Sequence, residues 1–142
     1  MTVLDAYAVI AYLRAEPSAS EVANLLREPT HLTAVNAAEV CDQMTRVFGS
    51  DPNAIEADIA LLCHAGMNLL PVLPGLAIDA GRIRARRYDR QLSAVSLADC
   101  IAAAAALAYQ RPLATCDPAL AQVLRAEGGK VHALPDSKGR RP

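Results

Sequence analysis

The stretch at residues 96–117, SLADCIAAAAALAYQRPLATCD, decides the fold of this chain. Ser96 is a favourable N-cap residue, and Asp99 three positions later gives the spacing of a capping box. The alanines at 102–106 have the highest helix propensity of all residues, and Pro112 cannot continue a helix. The stretch therefore predicts a helix that has Asp99 in its first turn.

Two aspartates each follow a short apolar run. Residues 113–116 have the composition of a buried strand, and Asp117 with Pro118 begins the next helix, with Asp at the N-cap and Pro at the first helical position. Near the start of the chain, residues 2–4 form a similar run that ends at Asp5, where a helical pattern begins. Asp5 and Asp117 are therefore predicted at the carboxyl ends of strands.

Short strands alternate with helical patterns along the chain. Strands are predicted at residues 2–4, 31–34, 69–73, 113–116 and 131–134. Within 142 residues this alternation predicts a single α/β domain at 1–134, with a central, mostly parallel sheet flanked by helices. Residues 135–142 are expected to form a basic, mobile tail. In such folds, functional residues gather beyond the carboxyl ends of the strands.

The composition limits the functional classes. The net charge of −1 means that nucleic-acid binding would need a local basic surface or bound cations. The four cysteines lack zinc-type spacing, which predicts free, buried thiols in a reducing compartment. The sequence contains neither a signal peptide pattern nor a membrane-spanning run, so a cytoplasmic protein is expected. It also lacks phosphate-binding glycine loops and the Gly-x-Ser-x-Gly elbow of hydrolases.

Four acidic motifs follow one another in the sequence. They are Val3-Leu4-Asp5, Asn36-Ala37-Ala38-Glu39-Val40, Ser96-Leu97-Ala98-Asp99 and Thr115-Cys116-Asp117. In this order and spacing they resemble the PIN domain, most closely the small VapC-type toxins of bacterial toxin–antitoxin pairs, over nearly the whole chain. The resemblance implies a parallel sheet wrapped by helices, acids that converge on a divalent-metal site, and Mg²⁺- or Mn²⁺-dependent endoribonuclease activity. It also implies a homodimer and a cognate VapB-like antitoxin that covers the acidic groove.

The resemblance assigns roles to the four acids. Asp5, Glu39 and Asp99 are expected to bind the metal ion directly or through water. Asp117 is expected to be a further ligand or to orient the attacking water, so all four are predicted catalytic and metal-binding residues. Elementary chemistry agrees, because carboxylates crowded into one cleft either take up protons or hold a cation. Ligands that are all oxygen favour Mg²⁺ or Mn²⁺.

The sequence also predicts the positions and roles of the residues next to these acids. In an extended strand Thr115 points to the same side as Asp117, where it can hydrogen-bond to a carboxylate or to an RNA phosphate, and Cys116 points into the core. The PIN family often has Ser or Thr after the first Asp, whereas this chain has Ala6. Either Tyr7 or Thr115 then supplies the missing hydroxyl, or catalysis is weak.

A basic helix at residues 76–88 is a candidate surface for RNA. If the helix continues, four arginines fall within an arc of about 140°, namely Arg82, Arg86, Arg87 and Arg90. Arg82 and Arg86 are predicted to contact RNA phosphates, while Arg84 lies off that arc. Arg46, two turns after Glu39, is a second candidate for the RNA backbone. A solvated helix face explains these arginines equally well.

Each acid also has a simpler explanation. Asp5, Asp99 and Asp117 could each serve only as a helix cap. Glu39 shares with Asn36 a helix face that periodicity assigns to solvent. The alternative function is a catalytically weak PIN-like module that binds RNA or a protein partner without cleaving it.

Overall fold

The computed structural model describes residues 1–142 and confirms the α/β fold, with five strands and seven helices. The strands are β1 (Thr2–Leu4), β2 (Thr30–Thr33), β3 (Met67–Leu70), β4 (Leu113–Thr115) and β5 (Val131–Ala133). The helices are α1 (Ala6–Leu13), α2 (Ala19–Leu25), α3 (Ala34–Arg46), α4 (Pro52–His64), α5 (Pro74–Arg87), α6 (Leu97–Ala108) and α7 (Pro118–Ala126).

The five strands form one parallel sheet in the order β3-β2-β1-β4-β5. The central strand is β1, in which Leu4 pairs with Leu32 of β2 and with Ala114 of β4. Because the strands are parallel, their carboxyl ends lie at one edge of the sheet. Asp5 directly follows β1 at this edge, and Asp117 lies two residues after the end of β4.

The core lies on both faces of the sheet, because successive strand residues point to opposite sides. Leu4 and Ala114 pack with α1, α3 and α4, whereas Val3 and Leu113 pack with α5, α6 and α7. The alanines at 102–106 are at most 3% exposed. Their small side chains allow α6 to pack closely against its neighbours, which positions its first turn.

Strand β3 begins two residues and ends three residues earlier than the sequence pattern predicted. It was expected at 69–73 and occupies Met67–Leu70. It begins directly after Gly66, whose φ of +114° is accessible to glycine at little cost. It ends before Pro71, which has no N–H to donate to a strand ladder.

The expectation that all four cysteines are buried is wrong. All four are free thiols, but only Cys100 is buried, while Cys63 and Cys116 are half-buried and Cys41 is exposed. The reason is position, because Cys41 lies on the outer face of α3.

The mobility of residues 135–142 stays a prediction. In the structure Arg141 forms an ion pair with Glu21 of α2 and donates to the carbonyl oxygen of Ala133. None of the seven helices combines the length and the apolar character needed to cross a membrane.

Candidate active site

The four predicted acids line one cavity of about 230 Å³ at the carboxyl edge of the sheet. We call it the acidic cavity, and it is lined by Asp5, Ala6, Tyr7, Glu39, Ser96, Asp99, Cys116 and Asp117. The fold therefore brings together residues that are up to 112 positions apart in the chain. Four of the eight lining residues are carboxylic acids, which makes this a strongly anionic recess.

Three of the acids are held in place by helix N-termini. Asp5 caps α1, where its Oδ1 accepts a 2.7 Å hydrogen bond from the Ala8 N–H. Asp117 caps α7 and accepts a bond of the same length from the Ala119 N–H. Each aspartate is therefore both a helix cap and a cavity acid, so the structural and functional explanations are compatible.

Asp99 is fixed by the predicted capping box, which the structure confirms. The Ser96 hydroxyl oxygen accepts a 3.0 Å hydrogen bond from the Asp99 N–H. In return, Asp99 Oδ2 accepts a 2.7 Å bond from the Ser96 N–H. This reciprocal pair satisfies two free amides of α6 and holds the Asp99 carboxylate at the cavity.

Glu39 reaches the cavity from α3 and is held by a buried neighbour. Asn36 donates from Nδ2 to Glu39 Oε2 over 3.4 Å, and its Oδ1 accepts a 2.5 Å bond from the Thr33 hydroxyl. The simpler interpretation from periodicity, in which Asn36 faces solvent, is wrong, because this residue is fully buried. Helical periodicity does not predict this buried position, because it assigns polar residues to solvent. A buried amide with two hydrogen-bond partners, however, costs little free energy.

The electrostatics of the cavity favour protons or cations. Burial raises the pKa of Asp5 to about 7, with smaller contributions from the charges of Asp99 and Asp117. Burial and the Asp99 charge raise the pKa of Glu39, and burial together with the Asp117 charge raises that of Asp99. No basic side chain forms an ion pair with any of the four acids.

The oxygen ligands that line the acidic cavity are of the type that a hard divalent cation prefers. All four candidate ligands are carboxylates, and Mg²⁺ commonly uses only one or two carboxylates while it keeps several waters. No group of three or more His, Cys, Asp or Glu side chains is arranged so that it could hold a metal ion. The residue types therefore fit such an ion, whereas the side-chain positions do not form a closed protein cage.

Thr115 forms hydrogen bonds with two of the four acidic residues. This residue is fully buried and does not line the cavity. Its Oγ1 accepts a 3.0 Å hydrogen bond from the Asp117 N–H, and its hydroxyl bonds to Asp5, which lowers the pKa of that carboxyl. Thr115 therefore contacts one carboxylate, that of Asp5, and the backbone of Asp117.

Two further residues line the cavity, of which the sequence indicated Tyr7 as a possible hydroxyl donor and did not indicate Cys116. Cys116 was expected to point into the core, but it also lines the cavity because the chain leaves the strand at Thr115. Tyr7 lines the cavity as well, and its hydroxyl donates to Glu16 over 2.7 Å. The position of Tyr7 two residues after Asp5 was the available signal.

The predicted RNA-contacting arginines lie outside the acidic cavity. Arg46 is exposed and pairs with Asp42 one turn away on α3. Arg82 and Arg86 line a separate cavity of about 450 Å³, the arginine cavity. It is lined by Asp79, Arg82, Ile83, Arg86, Ala104, Leu107, Ala108 and Glu127. Their contact with RNA stays a prediction.

Fold and cavity together define an α/β protein with a carboxylate site at the carboxyl edge of a parallel sheet. The chain belongs to the PIN domain family, whose sequence profile matches residues 2–125. This match confirms the family that the four acidic motifs indicated. A comparison with curated proteins finds no significant match.

Solved structures of toxin–antitoxin proteins share this fold. VapBC2 from Rickettsia felis, bound to a promoter DNA fragment, superposes with a TM-score of 0.70 at 12% identity, covering 94% of this chain and 98% of that one. VapC20 from Mycobacterium tuberculosis, a sarcin-ricin loop cleaving toxin, gives 0.69 at 14% identity, with coverages of 95% and 100%. FitAcB from Neisseria gonorrhoeae gives 0.61 at 24% identity, with coverages of 92% and 96%.

Proposed function

We propose that this protein is a divalent-metal-dependent endoribonuclease of the VapC toxin type. The observation that carries the proposal is the set of four carboxylates in one cavity with no basic partner. Burying such charges without compensation costs stability unless a proton or a cation neutralises them. At neutral pH a divalent cation is the ligand that suits four oxygen donors.

The four acids divide the work in this proposal. Asp5, Glu39 and Asp99 hold the Mg²⁺ or Mn²⁺ ion directly or through water. A bound ion of this kind supplies Lewis-acid stabilisation of the reacting phosphodiester and lowers the pKa of water. Asp117 uses Oδ1 to cap α7, which leaves its Oδ2 to be a further ligand or to orient the attacking water.

The proposed substrate is RNA, and the proposed regulator is a VapB-like antitoxin. A neighbouring fold belongs to a sarcin-ricin loop cleaving toxin, and other neighbours were solved as toxin–antitoxin complexes. A basic antitoxin side chain placed in the acidic cavity would neutralise its carboxylates and exclude both the ion and the RNA. We also propose a homodimer and a cytoplasmic location for the toxin.

A second candidate function is a PIN module that binds RNA or a protein partner without cleavage. Two observations favour it. Ala6 provides no hydroxyl beside Asp5, and Tyr7, one of the two possible substitutes, donates its hydroxyl to Glu16 instead. The lack of a three-ligand group also agrees with weak metal binding.

The test is a cleavage assay on structured RNA with Mg²⁺ or Mn²⁺. It compares the native protein with Asp5→Asn and Asp99→Asn, both of which keep an oxygen that can cap the helix. We expect each variant to lose activity by a factor on the order of 100 or more. Glu56→Gln, an exposed residue on α4, is the matched control and should cleave at the native rate.

The outcomes separate the candidates. Equal cleavage by the native protein and both aspartate variants would show that the acidic cavity is not the catalytic site. If no protein cleaves while Mg²⁺ still raises the melting temperature of the native protein, the non-cleaving module is correct. Loss in the aspartate variants with retention in Glu56→Gln supports the nuclease.

A further inference from the structure

Arg84 differs from the other arginines of α5. Arg82, Arg86 and Arg87 each form an ion pair with a carboxylate, whereas Arg84 forms none. Its Nε instead donates a 3.1 Å hydrogen bond to the carbonyl oxygen of Val95, and its side chain is half-buried. One anchored bond leaves the other guanidinium donors and the full positive charge available to a ligand.

The guanidinium of Arg84 also fixes an exposed aromatic ring. Its Cζ lies 4.3 Å from the centroid of the Tyr88 ring, within the range of a cation–π contact. Tyr88 is nevertheless 45% exposed. Arg84 therefore covers one part of a ring that still presents a large accessible surface.

This pair is connected to the acidic cavity through the backbone at residues 95–96. Val95, which accepts the hydrogen bond from Arg84, directly precedes Ser96. Ser96 lines the cavity and holds Asp99 through the capping box. Two noncovalent contacts and one peptide bond thus connect the Tyr88 ring to the rim of the proposed catalytic site.

We infer that Arg84 and Tyr88 form a binding platform for one nucleotide of the RNA strand that enters the acidic cavity. In this arrangement a base stacks on the exposed surface of Tyr88, and free guanidinium donors of Arg84 bind an adjacent phosphate. The inference rests on the proposed ribonuclease function and adds to it the residues that hold the strand beside the cavity.

The charge distribution favours RNA over an apolar partner at this place. The chain has a net charge of −1 and an anionic catalytic cavity, so an RNA strand needs a local cation that no carboxylate neutralises. Arg84 meets this need, whereas the three paired arginines of α5 do not. Exposed Leu92 and Leu97 follow the platform in sequence and would suit a protein segment, which the experiment below separates from RNA.

The experiment measures kcat and KM for RNA cleavage by the native protein and by three platform variants. Fluorescence anisotropy of a labelled single-stranded RNA, with the Asp5→Asn substitution added to prevent cleavage, gives Kd for each. We expect Tyr88→Leu to raise KM and Kd about tenfold with little change in kcat, since base stacking on an aromatic ring contributes that much. Tyr88→Phe, which keeps the ring, should stay within about twofold of the native value.

Loss of the charge should be visible as a change in salt dependence. Arg84→Gln should weaken binding and reduce the slope of log Kd against log salt by about one. Tyr109→Leu and Arg27→Gln are the matched controls. Tyr109 is 46% exposed and lies at the far end of α6, and Arg27 is an exposed arginine without an ion pair. Both controls should bind RNA as the native protein does.

An independent probe uses the native protein and changes only the RNA. A series of RNAs, each with one abasic nucleotide, should show weakened binding at a single position within a few nucleotides of the cut. Tyr88→Leu should be insensitive to that same position. Uniform binding across the series, or native KM and Kd in Tyr88→Leu, would overturn the platform while leaving the nuclease proposal intact. A native protein that neither binds nor cleaves RNA would overturn both.

Discussion

Two charged cavities of this protein differ in whether their charges are paired. The acidic cavity contains four carboxylates without a basic partner, whereas in the arginine cavity Arg82 pairs with Asp79 and Arg86 pairs with Glu127. The arginine cavity is the larger of the two, at about 450 Å³ against about 230 Å³. Size alone would therefore select the recess whose charges are paired.

The pKa values of three carboxyl groups in the acidic cavity and of Glu127 in the arginine cavity shift in opposite directions. In the acidic cavity burial raises the pKa values of Asp5, Glu39 and Asp99. In the arginine cavity, hydrogen bonds from Arg86 and then Arg87 lower the pKa of Glu127. A carboxyl group whose pKa is lowered by folding stabilises the folded protein at neutral pH. A carboxyl group whose pKa is raised by folding destabilises it. Uncompensated charge, which the fold tolerates at a cost, is therefore the reason to choose the acidic cavity as the candidate functional site.

The largest expected effect is a stabilisation by Asp5→Asn. Because the folded pKa of Asp5 is about 7 and the ordinary value is 3.8, ionising Asp5 opposes folding at high pH. At pH 8 without divalent metal, the variant should gain about 2–4 kcal/mol in the free energy of unfolding, since one pKa unit corresponds to about 1.4 kcal/mol. Urea unfolding measures the difference, with Glu56→Gln as control.

The pH dependence of that gain has a definite sign. Below about pH 4 Asp5 is protonated in both the folded and the unfolded state, so native and variant should differ little for this reason. As pH rises from about 4 to 7, the native protein should lose stability relative to Asp5→Asn, and the difference should level off above 7. A difference that does not change with pH would contradict a raised Asp5 pKa.

The next effect is stabilisation by divalent cations at the acidic cavity only. Mg²⁺ or Mn²⁺ at 100 times its dissociation constant should stabilise the native protein by about 2.7 kcal/mol. Asp5→Asn and Asp99→Asn should lose most of this gain, whereas Glu127→Gln should keep it. Thermal unfolding with and without metal checks the prediction. A gain that persists in both aspartate variants would place the cation elsewhere.

The smallest effect belongs to the arginine cavity. Glu127→Gln removes the partner of Arg86 and Arg87, whose distances to Glu127 are 2.8 and 2.7 Å. We expect a loss on the order of 1 kcal/mol, because the arginine side chains are exposed. High salt should reduce this loss. Glu28→Gln, an exposed glutamate without an ion pair, should be neutral, and an equal loss there would contradict the network.

Local chemistry was sufficient to predict the starts of α6 and α7, although α5 begins at Pro74, two residues before the predicted start. The capping box at Ser96 and Asp99 and the cap at Asp117 depend on residues within one turn, and the structure contains all of them. The order of strands and helices followed from the same short patterns. The parallel sheet then placed Asp5 and Asp117 at one edge, so a large part of the candidate site follows from the fold.

Long-range partners were outside the reach of such patterns. Glu127 lies 41 residues from Arg86, and no local sequence pattern predicts the ion pair between them. The buried position of Asn36 depends on Thr33 and Glu39, and the position of Arg84 beside Val95 depends on how α5 packs against α6. Helical periodicity placed Arg84 off the arc of the other arginines, because periodicity indicates the face of a helix on which a residue lies and not the residues that pack against it.

The double role of the aspartates has a consequence for how this protein can change over evolution. Asp5, Asp99 and Asp117 each accept an amide hydrogen bond at a helix N-terminus. Asn caps helices about as well as Asp, and Ser does so at positions like Asp5 and Asp117. Such replacements would remove the carboxylates while preserving the scaffold. Descendants of this chain can therefore lose the carboxylates of the cavity in single steps and stay well folded.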